Sequence, residues 1–497
     1  MKKTGWIIPV VAIVGLIHWL WGAQIWSNLT GHNRGAWFIV ALIFGGIITA
    51  SVGFSVYDTK QSGLAANVGV FGVILVIVGF GGMIFSGYHI DRAYLVGMEE
   101  TQQNDVNYLQ RTPYDIAVAT SSRNMQNTNG TLGDVKFIAD NEDNGTWGAP
   151  VIRRGFVQGY ESVQTSELPL FGTAKSTDTV FCEFADHATL RLGGAMPKNN
   201  LGRAILSKTG LGISFTDSDS YTYCEGETPL VIVPLKKTSG LFHPTSTPYG
   251  IAVYNGTTSE LKIVTNIDEI NEYKGSTYPL SLAERQRAAL KATGGYWDKV
   301  FSRSGWETSA NDENDPNVNV SEIQLRRAEG GIDYVTPLTP VGDSTSIVGV
   351  STVEARITTP GTRNPLQVNV YPNGETRIAN SATSDAIKTQ YSSLSDWANG
   401  MDVFEIVPSS DNLWEASIGK QQSVVYRATI TRSGEIKLYR ADGTIVGETQ
   451  VNISEGDNDV DVTVVVPPSG EFNEMTTQEL VELSQLIAEE LGNRAGS

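Results

Sequence analysis

Residues 67–86 read NVGVFGVILVIVGFGGMIFS, an apolar run without a charged side chain. At about 1.5 Å per residue, a helix of this length crosses a hydrocarbon core roughly 30 Å thick. Two similar runs precede it, at residues 5–26 and 36–56, and neither contains Lys, Arg, Asp or Glu. The sequence therefore predicts that residues 1–97 form a membrane domain with three transmembrane helices. A wholly soluble protein is excluded.

The basic residues beside these runs predict the orientation of the domain. Cytoplasmic loops of membrane proteins carry an excess of lysine and arginine, and the N-terminal charges usually dominate. The basic residues divide into Lys2, Lys3 and Lys60 on one side and Arg34 and Arg92 on the other. We therefore expect a multi-pass protein of the cytoplasmic membrane, with a cytoplasmic N-terminus and with residues 98–497 extracytoplasmic.

Small residues recur four apart in the second and third runs, which lets helix backbones approach closely. The pairs are Ala41/Gly45, Gly46/Ala50 and Gly82/Ser86. We expect the spans to pack together or to associate with other copies of the chain. His18 is the one titratable group inside the first run. Because no span carries an acidic partner, a neutral, hydrogen-bonded imidazole is favoured over a proton relay.

The rest of the chain is acidic and predicts a different kind of structure. The whole sequence carries 36 Lys and Arg against 54 Asp and Glu, a net charge of −18. An acidic surface repels phosphate backbones, so we expect no nucleic-acid partner. Alternating apolar and polar residues around Gly-containing turns predict β-hairpins at residues 424–446, 366–378 and 250–264. The predicted fold is three N-terminal transmembrane α-helices followed by a large β-rich (α+β) extracytoplasmic region.

Composition and helix signals divide this region into four predicted parts. They are an α+β module at 98–270, a linker module with a capped helix at 271–350, a β-rich module at 351–466 and a C-terminal amphipathic helix at 467–497. The capped helix would open with a capping box of Ser281 and Glu284 and close at Gly294. The C-terminal helix is expected to pack on its own domain, with partner binding as the alternative.

Cys182 and Cys224 are the only cysteines, and both lie in strand-like segments. A disulfide persists in an oxidising compartment, and one between these residues would close a loop of about 42 residues. With no third cysteine, a metal site is disfavoured. The sequence therefore favours a Cys182–Cys224 disulfide, with two unpaired buried thiols as the alternative.

The remaining residues offer little recognisable chemistry. His187 and His243 lack the Gly-x-Ser-x-Gly turn of a serine hydrolase, which favours structural roles. Asp457–Asp461 and Asp315–Asn319 alternate oxygen ligands without the Gly and Glu of a helix-loop-helix calcium site, although an irregular Ca²⁺ site stays open. We expect no cofactor, and we assign no catalytic or metal-binding residue. A glycan-cleaving carboxylate pair is defined by separation in the folded chain, so the sequence cannot identify one.

Four stretches carry a resemblance to known proteins. They are RRGFVQGYESVQ at 153–164, DTVFCEF at 178–184, YPLSLAER at 278–285 and YVTPLTP at 334–340. Together with the apolar runs, they resemble uncharacterised membrane-anchored proteins of actinobacteria and their phages, over about residues 1–345. The resemblance implies a bacterial cell envelope and a gene of bacterial or phage origin. It implies no active site.

Two functional hypotheses follow from these features. The first is a membrane-anchored interaction or structural protein of the bacterial cell envelope. It would contact the lipid bilayer and bind an envelope protein or polymer, or assemble as a homo-oligomer. If the gene belongs to a phage, the protein would modify the surface of the host cell. The alternative is a hydrolase of cell-envelope glycan or peptide with unidentified carboxylates, and uncharged spans disfavour a channel or transporter subunit.

Overall fold

The structure is a computed structural model with apolar helices near the N-terminus followed by a β-rich body. It describes residues 11–18, 22, 25, 34–60, 63–102, 107–125, 129–139, 145–155, 158–173, 178–194, 196–210, 212–240, 243–308, 323–342, 346–392, 394–410 and 412–450. Within the first predicted span, residues 11–18 are helical, and most of the remainder lies outside the described residues. The first of the three predicted spans therefore stays a prediction.

Two long helices form an antiparallel hairpin. Helix α1 runs over Arg34–Lys60 and α2 over Gly63–Tyr94. By length and composition, both could cross a membrane. Their contact is made through glycines, because a Cβ atom placed on Gly53 would overlap the backbone nitrogen of Gly69. Only residues without a side chain allow the two backbones to come this close.

The predicted small-residue pairs differ in their roles within this hairpin. A Cβ on Gly46 would lie 2.7 Å from the carbonyl oxygen of Gly72, and a Cβ on Gly72 would overlap the backbone of Ala50. The pair Gly46/Ala50 is therefore confirmed as part of the helix contact. Gly45 lies outside this contact, since a Cβ placed there meets no neighbouring element within 4 Å.

The body contains short helices and many strands. The helices are α3 (Tyr114–Asn124), α4 (Leu201–Thr209), α5 (Ile267–Ile270), α6 (Leu280–Ala288), α7 (Tyr296–Val300), α8 (Asn380–Gln390) and α9 (Ser395–Ala398). The first strands are β1 (Glu99–Thr101), β2 (Gly130–Leu132), β3 (Lys136–Ile138), β4 (Thr146–Arg153), β5 (Tyr160–Ser166), β6 (Gly172–Thr173), β7 (Thr179–Glu183), β8 (Ile213–Ser214), β9 (Tyr221–Glu225), β10 (Thr228–Ser239), β11 (Thr245–Asn255) and β12 (Leu261–Val264). The later strands are β13 (Trp306–Thr308), β14 (Ile323–Arg326), β15 (Ile332–Pro340), β16 (Gly349–Glu354), β17 (Leu366–Val370), β18 (Asp402–Ser410), β19 (Leu413–Lys420), β20 (Ser423–Thr431), β21 (Glu435–Arg440) and β22 (Ile445–Gln450).

These strands form four sheets. Sheet I contains β1 and β13–β17, sheet II contains β2–β5 and β7, sheet III contains β8–β12, and sheet IV contains β6 and β18–β22. The paired strands described are antiparallel, except that β1 runs parallel to β17. Because β1 follows α2 closely, the chain enters sheet I directly after leaving the hairpin.

The apolar cores connect the sheets to the hairpin. The largest core draws residues from sheets I, II and III and from α6, and it includes Tyr94 and Leu95 at the end of α2. A second core lies between sheets I and IV together with α8, and a third lies between sheets II and III. The end of α2 is therefore part of the main core of the body.

Two of the three predicted hairpins are confirmed. In the segment 424–446, β20 pairs with β21 across the Ser433-Gly434 turn and β21 pairs with β22. In the segment 250–264, β11 pairs with β12, and Ile251 faces Val264. The predicted hairpin at 366–378 is wrong. Strand β17 already has neighbours on both sides, β16 and β1, so no edge remains for the residues after the turn.

The predicted capping box at Ser281 is also wrong. Helix α6 begins at Leu280 without a side-chain cap of its own and ends at Ala288, where a 3-10 turn follows. The backbone N–H of Ser281 donates to Asp219 Oδ1 at 2.7 Å, and the Ser281 hydroxyl donates to Asp219 Oδ2 at 2.6 Å. The carboxylate of Asp219, from a distant segment, therefore accepts the hydrogen bond of the Ser281 N–H that Glu284 was expected to accept.

Several predictions fall on residues that the structure does not describe. The C-terminal helix at 467–497 and the runs Asp457–Asp461 and Asp315–Asn319 lie outside the described residues. The module boundaries stay predictions as well, because hydrogen bonding within sheets does not show which segments fold independently.

Candidate functional site

The end of α2 is attached to the body through a buried carboxylate. The side chain of Asp91 is 6% exposed and accepts hydrogen bonds from two cations. The Arg285 guanidinium donates to Oδ1 at 2.5 Å, and the Lys299 ammonium donates to Oδ2. Since Arg285 belongs to α6 and Lys299 to α7, one carboxylate holds α2 against two helices of the body.

One turn further along α2, Tyr94 makes a second attachment. The guanidinium carbons of Arg285 and Arg363 lie 5.2 and 4.9 Å from the centre of the Tyr94 ring, within range of a cation–π interaction. The tyrosine oxygen accepts a hydrogen bond from the backbone N–H of Ser246 at 2.9 Å. Arg363 also donates to the carbonyl oxygen of Ala93 at 2.6 Å. We call the five side chains of these two attachments the junction cluster: Asp91, Tyr94, Arg285, Lys299 and Arg363.

The junction cluster fixes the body relative to the hairpin. Helix α2 has 32 residues and continues without a break from its apolar part to Tyr94, a length of about 48 Å. Its last residue is buried in the main core of the body. A helix that is continuous and held at two successive turns leaves no hinge between the two regions.

An open groove of about 720 Å³ lies on the body. Its walls are formed by segments 109–112, 145–147 and 167–170, with Phe137 and Asp178. These segments come from the start of the body and from sheet II, so the groove exists only in the folded chain. We call this cavity the body groove.

A buried ion pair supports the polar side of the body groove. Arg111 donates to Glu405 Oε1 at 2.5 Å, and its guanidinium carbon lies 5.0 Å from the centre of the Trp147 ring. Burial lowers the pKa of Arg111, and Glu405 partly offsets this effect. Burial also raises the pKa of Glu405, against the opposing effect of Arg111. The two charges compensate each other, and Glu167 and Asp178 are the other carboxylates that line the groove.

The remaining wall of the body groove is apolar and accessible. Leu109 and Leu170 are 37% and 39% exposed, and Leu168 and Pro169 lie beside them. Exposed apolar surface next to carboxylates suits an extended segment that carries apolar and basic side chains.

A pair of buried carboxylates lies in sheet I, outside the body groove. Asp333 and Glu354 face each other on β15 and β16, and both contact the guanidinium of Arg327. The Tyr108 hydroxyl donates to Asp333 Oδ2 at 3.1 Å. Burial raises the pKa of Asp333 to about 6, with Arg327 opposing and Glu354 reinforcing the shift. Two carboxylates that share one guanidinium inside a sheet favour a structural ion cluster.

A serine beside a lysine forms another cluster, a combination that some hydrolases use. Lys236 donates to the Ser281 hydroxyl oxygen, and its ammonium lies 3.5 Å from Asp219. The Ser281 hydroxyl also donates to Asp219, so the three side chains hold one another in place. The cluster attaches α6 to sheet III. Sequence reasoning missed it because the three residues are far apart in the chain.

The histidines singled out from the sequence lie apart from the body groove. The ring of His243 lies 5.3 Å from the ring of His89 on α2. His187 lies in the turn after β7, where its carbonyl oxygen accepts from the Ser259 hydroxyl. Among the described residues, no group of three or more His, Cys, Asp and Glu side chains is placed to hold a metal ion.

The structure contains the Cys182–Cys224 disulfide. The two Cα atoms are 5.9 Å apart, and the bond joins β7 of sheet II to β9 of sheet III. The N–H of Cys224 also donates to the Thr165 hydroxyl oxygen at 2.9 Å. The disulfide therefore reinforces a contact between two sheets that meet in the third core.

Comparisons with known proteins add no relative to this description. No protein-family model, no curated protein and no solved structure matches the chain.

Proposed function

We propose that the protein is a membrane-anchored, non-enzymatic binding protein of the bacterial cell envelope. Its N-terminus would be cytoplasmic, and residues 98–497 would lie outside the cytoplasmic membrane. The observation that carries this proposal is the junction cluster, because it holds the body in one orientation against the end of an apolar helix. A body held in this way presents its groove at a fixed angle to the membrane surface.

The proposed partner is a protein of the envelope that inserts an extended segment into the body groove. The apolar side chains of Leu109 and Leu170 favour apolar residues in that segment, and Glu167 and Asp178 favour basic ones. If the gene belongs to a phage, as the sequence resemblance implies, such binding would modify the surface of the host cell. A glycan polymer and a second copy of the chain are the competing partners.

Site-specific photo-crosslinking in native membranes tests this proposal. A photoreactive amino acid at Leu109 or Leu170 should form a covalent protein adduct, while the same group at Ile445, 51% exposed on sheet IV, should not. Replacing Glu167 with lysine should reduce the adduct about fivefold, the effect expected from an unfavourable charge of about 1 kcal/mol. The matched substitution Glu329→Lys, at another exposed carboxylate, should leave it unchanged. An adduct that contains only glycan, or equal adducts at all positions, would contradict the proposal.

The orientation is tested separately, with protease added outside spheroplasts and with mass spectrometry of alkylated protein under non-reducing conditions. We expect the body to be cut and Cys182 and Cys224 to resist alkylation, because a disulfide persists in an oxidising compartment. A protected body with both thiols alkylated would show the opposite orientation.

An envelope hydrolase is the second candidate function, and the raised pKa of Asp333 is the observation in its favour. A carboxyl with a pKa of about 6 beside Glu354 could act as a general acid. The Asp333→Asn substitution would then abolish hydrolysis of purified envelope glycan. We expect no such activity in the unaltered protein.

A further inference from the structure

Helix α7 is a short helix of the body, and it lies beside the part of α2 that contains Phe85 and Tyr88. Helix α7 follows Gly294 and Gly295, and Gly295 has a φ of +118°. A Cβ on Gly294 would overlap the Ser304 hydroxyl, so this turn requires a glycine. Helix α7 therefore begins directly after a turn that only glycine accommodates.

The large apolar side chains of this segment are exposed. Trp297 is 66% exposed, Val300 is 51% exposed and Phe301 is 56% exposed. The rings of Trp297 and Phe301 stack with their centres 6.0 Å apart, so they form one continuous surface. Such a patch on a protein body indicates an interaction surface. We call these three side chains the aromatic wedge.

The aromatic wedge is attached to the apolar part of α2. The ring of Tyr296, at the start of α7, stacks on Phe85 at 5.2 Å and contacts the edge of Tyr88 at 5.5 Å. Phe85 lies six residues before Asp91, which corresponds to about 9 Å along the helix axis. The segment of α2 beside α7 is therefore the last apolar turn, where a membrane-spanning helix would pass through the lipid interface.

The charges around the wedge fit the same position. Lys299 donates to Asp91 in the junction cluster. The Arg303 guanidinium lies 4.9 Å from the centre of the Phe301 ring on the exposed side of the segment. An arginine above an aromatic ring can extend to the phosphate groups of lipids while the ring stays in the apolar layer.

We propose that the aromatic wedge inserts into the interfacial layer of the bilayer leaflet that faces the body. The occupant of this surface is lipid, and the argument is the continuity of the wedge with α2. The wedge would fix the rotation of the hairpin about its axis, which the two antiparallel spans alone leave free. This inference rests on the proposed membrane location of the hairpin.

Depth-dependent fluorescence quenching tests the inference on the full chain in phosphatidylethanolamine–phosphatidylglycerol vesicles. A single cysteine at Trp297, or at Val300 in a second variant, carries an environment-sensitive fluorophore while the native disulfide stays intact. Lipids with a spin label on the headgroup should quench this fluorophore more strongly than lipids with the label deep in the acyl chain. At Ile77, near the centre of the apolar part of α2, lipids labelled deep in the acyl chain should quench the fluorophore more strongly than headgroup-labelled lipids.

Thr257 provides the matched soluble control. It lies just beyond the end of β11, while Ser246 near the other end of that strand contacts Tyr94. Ser246 and Asn255, near the two ends of the strand, are about 30 Å apart at roughly 3.3 Å per residue. A fluorophore at Thr257 should be quenched by neither lipid.

Each other outcome overturns the inference in a distinguishable way. If Ile77 is quenched and both wedge positions are not, the wedge lies outside the membrane although the hairpin spans it. Blue-shifted emission at the wedge without lipid quenching would show that protein covers it, either residues 5–26 or a second copy. If Ile77 is not quenched, the proposed membrane location fails, and the wedge inference fails with it.

Discussion

The hairpin and the body bury their residues in opposite ways. In the hairpin, glycine backbones are buried and large apolar side chains such as Phe44 and Ile77 are 62% and 65% exposed. In the body, apolar side chains fill the cores, and charged pairs such as Arg111 and Glu405 are buried with them. This difference is expected if lipid surrounds the hairpin, because helices in lipid associate by close backbone contact rather than by hiding apolar surface. The two regions should therefore respond differently to substitution.

The largest change in backbone geometry is expected inside the hairpin. The Gly53→Val side chain would overlap the backbone of α2 at Gly69, so the two helices must separate. A cysteine pair at Ile39 and Gly82, which face each other across the hairpin, reports the contact through its crosslinking yield. We expect that yield to fall at least about tenfold, the equivalent of about 1.4 kcal/mol. Gly45→Val is the matched control and should keep the yield, and equal losses for both variants would remove the distinction between the helix faces.

The largest change in unfolding free energy is expected in the body, at the disulfide. Replacing Cys182 and Cys224 with serine opens a loop of 42 residues, which the chain-entropy relation equates to about 4 kcal/mol of unfolding free energy. Urea unfolding of the full chain, followed by tryptophan fluorescence, measures the change. The hairpin crosslink of the preceding experiment should be unaffected. A loss below about 1 kcal/mol would show that sheets II and III are held together without the bond.

The junction cluster should couple the two regions. Asp91→Asn leaves Arg285 and Lys299 without their shared carboxylate in a largely buried position. Breaking a buried pair in this way costs about 3 kcal/mol. Urea unfolding measures the loss, and hydrogen exchange should show faster exchange in α6 and α7. The control Glu100→Gln removes an exposed carboxylate and should stay within about 0.5 kcal/mol of the unaltered protein.

The smallest effect concerns pH and the buried charges of the body. The pKa of Asp333 is about 6 in the folded chain and near 3.8 when exposed, so the folded state binds this proton more tightly. The contribution of Asp333 to stability is therefore greatest below pH 4 and decreases as the pH rises to about 6, by on the order of 2 kcal/mol.

Unfolding free energies measured between pH 4 and 7 isolate this contribution as a difference between two proteins. The Asp333→Asn variant has no titrating carboxyl at this position. Across that range its unfolding free energy should therefore fall less, or rise more, than that of the unaltered protein. Parallel curves for the variant and the unaltered protein would show that Asp333 titrates normally.

The sequence predicted those features that depend on neighbouring residues. The second and third apolar runs correctly predicted two of the described helices. The Ser433-Gly434 turn correctly predicted a hairpin, because a tight turn between alternating strands is a local property. The turn at Asn373-Gly374 has the same local signal, but the strand before it is already paired on both sides. The neighbours of a strand within a sheet are set by strands that are distant in sequence. A local sequence pattern therefore does not predict them.

The site was less predictable than the fold for the same physical reason. Asp91 and Arg285 are 194 residues apart, and nothing around either residue indicates the other. Trp297 and Phe301 are apolar residues of a kind that also fills cores, and only their exposed fractions in the folded chain show that they form a wedge. By contrast, the cysteines could be paired from the sequence because only two were available.

The parallel pairing of β1 with β17 has a consequence for the order in which the chain can fold. Residues just after α2 pair with residues that are synthesised much later. Thr101 forms a hydrogen bond with Asn369, and Arg111 forms one with Glu405, which lies 294 residues further along the chain. At roughly 5–20 residues per second, Glu405 emerges from the ribosome about 15 to 60 s after Arg111. Throughout that interval the first strand and the groove wall beside it lack their final partners. The part of the body closest to the hairpin is thus synthesised first and completes its pairing last. It is therefore the segment on which a folding chaperone would act.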